Sequence, residues 1–207
     1  MLTAGPTHEK IDPVRFIGNY SSGKMGYAIA EELAERGAEV TLISGPTQLH
    51  VTHPSIHKIS VESAKEMYAA SMEHFDTMDA AIMAAAVADY APENYASQKL
   101  KRDGEDLILR LVPNPDIAAS LGAIKEKQIL VGFALETQHA EANARKKIEK
   151  KNLDFVVLNS LENKGAGFQT DTNIISILHR NGEQQDYPLK SKRAVAVDIV
   201  DYLEKSL

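Results

Sequence analysis

The sequence predicts an α/β fold in which a mostly parallel central sheet carries helices on both faces, together with a protruding β-hairpin arm. Three observations lead there. Short β-rich apolar stretches alternate with helix-period stretches through most of the chain. Residues 78–87 are, apart from Asp79, apolar on both faces, as expected of a central parallel strand. A glycine-rich segment, Gly18 to Gly26, opens directly into the first helix. The 207 residues suit one domain, and 43% hydrophobic with 25% charged residues is the composition of a globular protein with a sizeable core.

Taken in order, Met25, Ile29 and Leu33 lie on one face of a helix expected over 24–36, and Gly37 stops it. Strands follow over 39–43 and 56–61. Ser63 and Glu66 have the spacing of a capping box, so a helix is expected over 64–75. The buried strand over 78–87 ends at Asp89-Tyr90. Segments 98–102 and 107–112 flank Asp103-Gly104, a strong hairpin signal, and mark the arm, or flap, at about 97–112. Asn114-Pro115-Asp116 reads as a helix start with Asn114 as cap and proline at the first position. Ile117, Leu121 and Ile124 supply that helix's buried stripe. A strand over 129–135, a helix over 141–151 and a strand over 155–158 continue the alternation. A second hairpin turns at Asn181-Gly182, and a last helix covers 194–203.

Composition narrows the function. With 23 Lys+Arg against 29 Asp+Glu the formal charge is −6, which argues against broad nucleic-acid or membrane binding but leaves room for local anion sites. Zero cysteines exclude disulfides, thiolate metal sites and a cysteine nucleophile, and fit a cytoplasmic protein. The longest apolar run, Ala80 to Ala88, falls far short of the roughly 20 residues of a membrane-spanning helix. The opening residues lack the basic start and apolar middle of a secretory signal.

The glycine segment nearly matches a P-loop, but Met25 stands where a Ser or Thr would meet Mg²⁺. It also fits a dinucleotide fold in order, but the strand ending at Ile43-Ser44-Gly45 lacks the acidic residue that would hold a ribose. By itself the loop is equally explained as a tight turn with close helix packing. His50, His53 and His57 lie near one another, yet Pro54 interrupts any helical pairing of the last two, which argues against a zinc site.

Further motifs change the reading. Thr3-Ala4-Gly5-Pro6-Thr7, Ile11-Asp12-Pro13-Val14-Arg15, Asn19-Tyr20-Ser21-Ser22-Gly23-Lys24-Met25-Gly26, Ala84-Ala85-Ala86-Val87-Ala88-Asp89-Tyr90 and Lys99-Leu100-Lys101-Arg102 occur in this order. In order and spacing they closely resemble the phosphopantothenate-cysteine ligase family. The likeness continues through Asn114 to Ile117, Val131 to Thr137, Lys147 to Asn152 and Gly167-Phe168, so it spans nearly the whole chain.

The resemblance implies a single Rossmann-like nucleotide-binding domain over 1–207 and a homodimeric enzyme of coenzyme A biosynthesis; an exposed two-stranded ribbon gains by pairing, so the arm is expected to form part of the dimer surface. In the bacterial type, CTP activates the carboxylate of 4′-phosphopantothenate as an acyl-cytidylate with release of pyrophosphate. The amine of L-cysteine then displaces CMP. Mg²⁺ is expected, its ligands unassigned; flavin is not expected in this domain. Such ligases are often fused behind a flavin-dependent decarboxylase. The few residues before Gly5, too few for a full first strand, lead us to expect a ligase domain taken from such a fusion.

Residue by residue, the resemblance places Asn19 at the acyl intermediate, with Ser21, Ser22 and Gly23 beside the substrate. It makes Lys99 the flap cation that reaches the nucleotide and Arg15 a group orienting the acyl part. Ala85, Asp89, Pro115, Asp116, Ile117, Ala118, Phe133, Lys147 and Lys151 fall at nucleotide positions. Each has a plainer reading. Asn19 suits a turn, Lys99 a solvated charge run, and Arg15 an ion pair with Asp12. Ala85 and Phe133 suit the core, and the two lysines suit a helix C-terminus. Arg102 stands where the family has lysine, so no catalytic role is carried to it. A nicotinamide oxidoreductase and a non-catalytic nucleotide-binding regulator are the competing functions.

Overall fold

The computed structural model describes residues 1–102, 104, 106–136, 139–160 and 171–207; of Glu136 and Ser160 only the backbone is included. The chain runs β1 (Leu2–Ala4), β2 (His8–Lys10), β3 (Phe16–Gly18), α1 (Lys24–Glu35), β4 (Val40–Ser44), β5 (Ile56–Ser60) and α2 (Ala64–His74). It continues through β6 (Ala80–Met83), β7 (Tyr90–Pro92), β8 (Leu111–Pro113), α3 (Ile117–Ile124) and β9 (Ile129–Glu136). It ends with α4 (Ala140–Lys150), β10 (Phe155–Ser160), β11 (Thr172–His179), β12 (Gln184–Ser191) and α5 (Lys192–Glu204).

Eight strands form one sheet in the order β12-β11-β10-β9-β6-β1-β4-β5. The six from β10 to β5 pair in parallel, while β11 and β12 add an antiparallel edge. Period-2 alternation divides the core. In β10, Phe155 and Val157 face α1 and α5, whereas Val156 and Leu158 face the cluster holding Met67 of α2, Leu121 of α3 and Ile148 of α4. Helices therefore cover both faces, as expected of a buried parallel sheet. The chain order reverses between β1 and β6, and the carboxyl ends of the strands beside such a switch point are where open α/β sheets bind ligands.

Four expectations change in detail. Residues 2–4, judged too few for a full strand, form a short one because β4 and β6 flank them on both sides. The strand expected over 78–87 stops at Met83, since the chain beyond it is tied differently. There Ala85 donates to the buried Thr3 hydroxyl (3.3 Å) and Ala88 to that of Thr7 (3.0 Å), and Ala86 donates to the Gly5 carbonyl (2.9 Å). The ribbon pairs β7 with β8, Tyr90 opposite Pro113, rather than 98–102 with 107–112. Residues 93–110 are the excursion between its strands; Asp103, half of the expected turn, lies outside the described residues. Finally, α3 begins at Ile117 with Asp116 as cap, its carboxylate accepting from the Ala119 N–H at 3.1 Å. Asn114 lies two residues before this cap, and its amide is held toward the 88–89 segment, Nδ2 donating to the Ala88 carbonyl (2.9 Å) and its backbone N–H to that of Asp89 (2.8 Å).

The other helix starts follow their local sequence. Ser63 and Glu66 form the full capping box of α2, and Ser191 caps α5 through the Ala194 N–H. Among the described residues no helix is long and apolar enough to cross a membrane.

Candidate active site

Two adjacent clefts open over the carboxyl ends of the central strands. The larger, about 460 Å³, is bounded by Thr3 of β1, Met83 of β6, and Gly132 and Phe133 of β9. Ala85 and Asp89 follow β6 along one side, Pro115 to Ala118 close another, and Lys147 of α4 and Lys151 at its C-cap project from a third. All nine expected nucleotide residues other than Lys99 therefore meet in one concavity. The smaller cleft, about 160 Å³, is lined by Ser21, Ser22 and Gly23 and by Ala84 to Ala86, Asn159, Asn173 and Lys192. Ala85 and Phe133 line both, so the two clefts share a wall.

The glycine loop earns its composition. Gly23 precedes α1 with φ +78°, a left-handed conformation that suits glycine. At Gly26 an added Cβ would stand 2.6 Å from that of Ala4, so glycine alone lets α1 lie so close to β1. Tight packing and a cleft wall are thus two uses of one segment. Lys24, the P-loop lysine by position, instead pairs with Asp171 at 2.6 Å.

Asn19 lines neither cleft, but its Nδ2 donates to the Ala86 carbonyl at 2.9 Å, at the edge of the smaller one. Lys99 is exposed and lines neither; the excursion that carries it is rooted at Tyr90 and Pro113, both on the wall of the larger cleft. Arg15 also lines neither cleft. It is bound to the Asp12 carboxylate, with its Nη2 donating to the Leu100 carbonyl at 2.7 Å. Three residues that spacing did not flag complete the walls. Asn159 donates to Asn173 at 2.7 Å, and Lys192 lies beside them, its ammonium pushed below the usual lysine range by burial and then by Lys24. Asn173 lies in a strand and Lys192 at a helix start; nothing in their local sequence reports that the sheet brings them together.

Lys147 of α4 and Lys151, which follows its last residue, both line the larger cleft. Lys147 donates to the Phe133 carbonyl at 2.6 Å, and Lys151 pairs with Asp116 at 2.9 Å. For Asp116, burial works to raise its pKa, but the Lys151 ammonium and the Ala119 N–H outweigh it and hold the carboxyl below its usual range. A depressed carboxylate contributes stability above its unfolded pKa of about 4 and loses it as pH falls through the lower folded value. The melting-temperature gap between the wild type and Lys151→Ala should therefore be full at pH 7 and pH 5 and narrow as the pH falls below about 4. A constant gap would mean that the charge pair adds nothing.

Among the described residues no group of three or more His, Asp or Glu could hold a metal ion. The larger cleft is thus lined by the lysines Lys147 and Lys151, with no carboxylate cage among the described residues.

Comparison with known proteins identifies the family of the chain. The family model described as the DNA/pantothenate metabolism flavoprotein C-terminal domain matches residues 1–207. A protein named cysteine/cysteine sulfinic acid decarboxylase, from an unknown prokaryotic organism, is 50% identical over 200 residues, covering 96% of this chain and 56% of that protein. The coenzyme A biosynthesis bifunctional protein CoaBC of Bacillus subtilis is 46% identical over 200 residues, covering 97% of this chain and 49% of the relative. The chain thus spans about half the length of these curated relatives. A crystal structure of the C-terminal domain of a CoaBC protein superposes with a TM-score of 0.83 at 40% identity, covering 99% of this chain and 93% of that one. Sequence match along the full chain and shared architecture agree that this chain belongs to the DNA/pantothenate metabolism flavoprotein C-terminal domain family.

Proposed function

We propose that the chain is a CTP-dependent ligase of coenzyme A biosynthesis joining 4′-phosphopantothenate to L-cysteine. The observation that carries this is the shared wall at Ala85 and Phe133 between a nucleotide-sized cleft and the glycine-loop cleft. An acid in the smaller cleft and a nucleotide in the larger one would meet across this wall, carboxylate beside α-phosphate, which is the arrangement that transfer needs.

In the first step a carboxylate oxygen attacks the α-phosphorus of CTP and pyrophosphate leaves. Lys147, Lys151 and the flap cation Lys99 offset the charge that develops on the phosphates. Asp89 and the first amides of α3, which no intrahelical carbonyl can accept, meet the ribose and base. In the second step the cysteine amine attacks the acyl carbon, loses a proton and expels CMP. Asn19 and the loop of Ser21, Ser22 and Gly23 hold the acyl group. Mg²⁺ would ride chiefly on the nucleotide's own phosphate oxygens.

We place the working enzyme as a cytoplasmic homodimer, the first supported by the absence of cysteine and the second by exposed Leu107 and Ile108 on the excursion. In its bifunctional relatives the counterpart of this chain is about half of the protein, consistent with fusion to a decarboxylase.

The nicotinamide reading has no support at its diagnostic position. Ser44 ends β4 there, and its hydroxyl is occupied by Tyr27 (2.9 Å) and the Gly45 carbonyl (2.9 Å). The test is incubation with Mg²⁺, both acids and either CTP or ATP. CMP and pyrophosphate should appear together with CTP. Strict dependence on ATP would overturn the nucleotide assignment, and CTP binding without turnover would make the chain a regulator.

A further inference from the structure

The loop between β2 and β3 closes around one carboxylate whose side chain has no solvent exposure. Oδ1 of Asp12 accepts the N–H groups of Val14 (2.8 Å) and Arg15 (2.9 Å), and Oδ2 accepts Nε of Arg15 (2.9 Å) as well as its Nη2. That set would satisfy a self-contained turn. Yet Oδ2 also accepts the N–H of Leu100 at 3.1 Å, and Nη2 of Arg15 donates to the Leu100 carbonyl at 2.7 Å. One ion pair thus takes both backbone groups of a residue far along the chain. The Ala96 N–H donates to the Ile11 carbonyl at 3.0 Å and adds a second tie.

Leu100 lies between Lys99 and Lys101 on the excursion rooted at the larger cleft, and no strand pairing holds it. A long cation on loose backbone loses much entropy when it meets a ligand, and fixing its neighbour in advance removes part of that cost. Arg15 foremost, together with three backbone N–H groups and against the effect of burial, holds Asp12 far below the usual carboxylate range.

We infer that Asp12 and Arg15 are positioning residues of the ligation reaction, gripping Leu100 so that Lys99 meets the nucleotide, with neither touching the reacting atoms. The inference rests on the role given to Lys99 above. It predicts that Asp12 acts only through Lys99, which a double-mutant cycle reads directly.

Asp12→Asn should lower kcat/KM for CTP by about a hundredfold, the scale of a misplaced reacting group. In the Lys99→Gln background the same substitution should change it by less than about twofold, and limited trypsin treatment should cut after Lys99 faster in Asp12→Asn than in the wild type. Full activity of Asp12→Asn, or losses that multiply in the double variant, would overturn the inference while leaving the role of Lys99 standing. Full activity of Lys99→Gln would overturn both. Should Asp12→Asn fail to fold, Arg15→Lys keeps the charge but cannot bridge Asp12 and Leu100, and the same non-additivity is required of it.

Discussion

Replacing Asn19 with aspartate is expected to lower turnover by about 10²- to 10³-fold, the usual loss when one preorganised donor is removed from a developing charge. The Asn19 amide is fixed by its bond to the Ala86 carbonyl, beside the wall that separates the two clefts. A carboxylate at that position has no proton to donate. It would face the Ala86 carbonyl with like polarity and repel both the substrate carboxylate and the phosphates. Stability should suffer little, because the bond is solvent-exposed and a hydrogen bond contributes only about 1 kcal/mol net. Pyrophosphate release and the melting temperature, measured on the same preparation, separate the two effects. Undiminished release would remove Asn19 from the mechanism. A large drop in melting temperature would make it a structural residue.

What could be read in advance follows the range of the interactions involved. The strand expected over 155–158 and the capping box at Ser63 and Glu66 rest on local patterns, and both form. The gathering of residues at the larger cleft was legible only through an ordered family pattern, since Ala85 and Phe133 are ordinary apolar residues by composition. Asp103-Gly104 is a strong local turn signal, yet the pairing formed at Tyr90–Pro92 and Leu111–Pro113, where the ends of the excursion meet the cleft wall. Asn114 has the chemistry of a cap, but two contacts to the 88–89 segment claim it first. The Asp12 clasp illustrates the limit. Its partner Leu100 is apolar and contributes only backbone, so no side-chain pattern could announce it.

Gly122→Ala should show the opposite balance, a large stability loss that also reaches the cleft. In an exposed helix interior, alanine would be favoured over glycine by about 1 kcal/mol. Gly122 is buried in α3, and an added Cβ would stand 2.0 Å from the Lys151 carbonyl oxygen and 2.9 Å from its carbon. Both atoms are backbone, so no rotamer change relieves the clash and α3 must separate from the end of α4. The bond from Asn152 Nδ2 to the Gly122 carbonyl, 2.8 Å, would be strained with it. Overpacking of this kind costs about 3 kcal/mol, or about 6 to 12 °C in melting temperature for a chain of this size. The displaced segment carries Lys151 and, one turn earlier, Lys147, so the KM for CTP should rise as well. Gly37→Ala is the control: φ is +91° there with open space around it, so it should lose stability through strain alone and leave that KM unchanged. An unaltered melting temperature in Gly122→Ala would mean that α3 and α4 are not in the close contact on which the shape of the larger cleft depends.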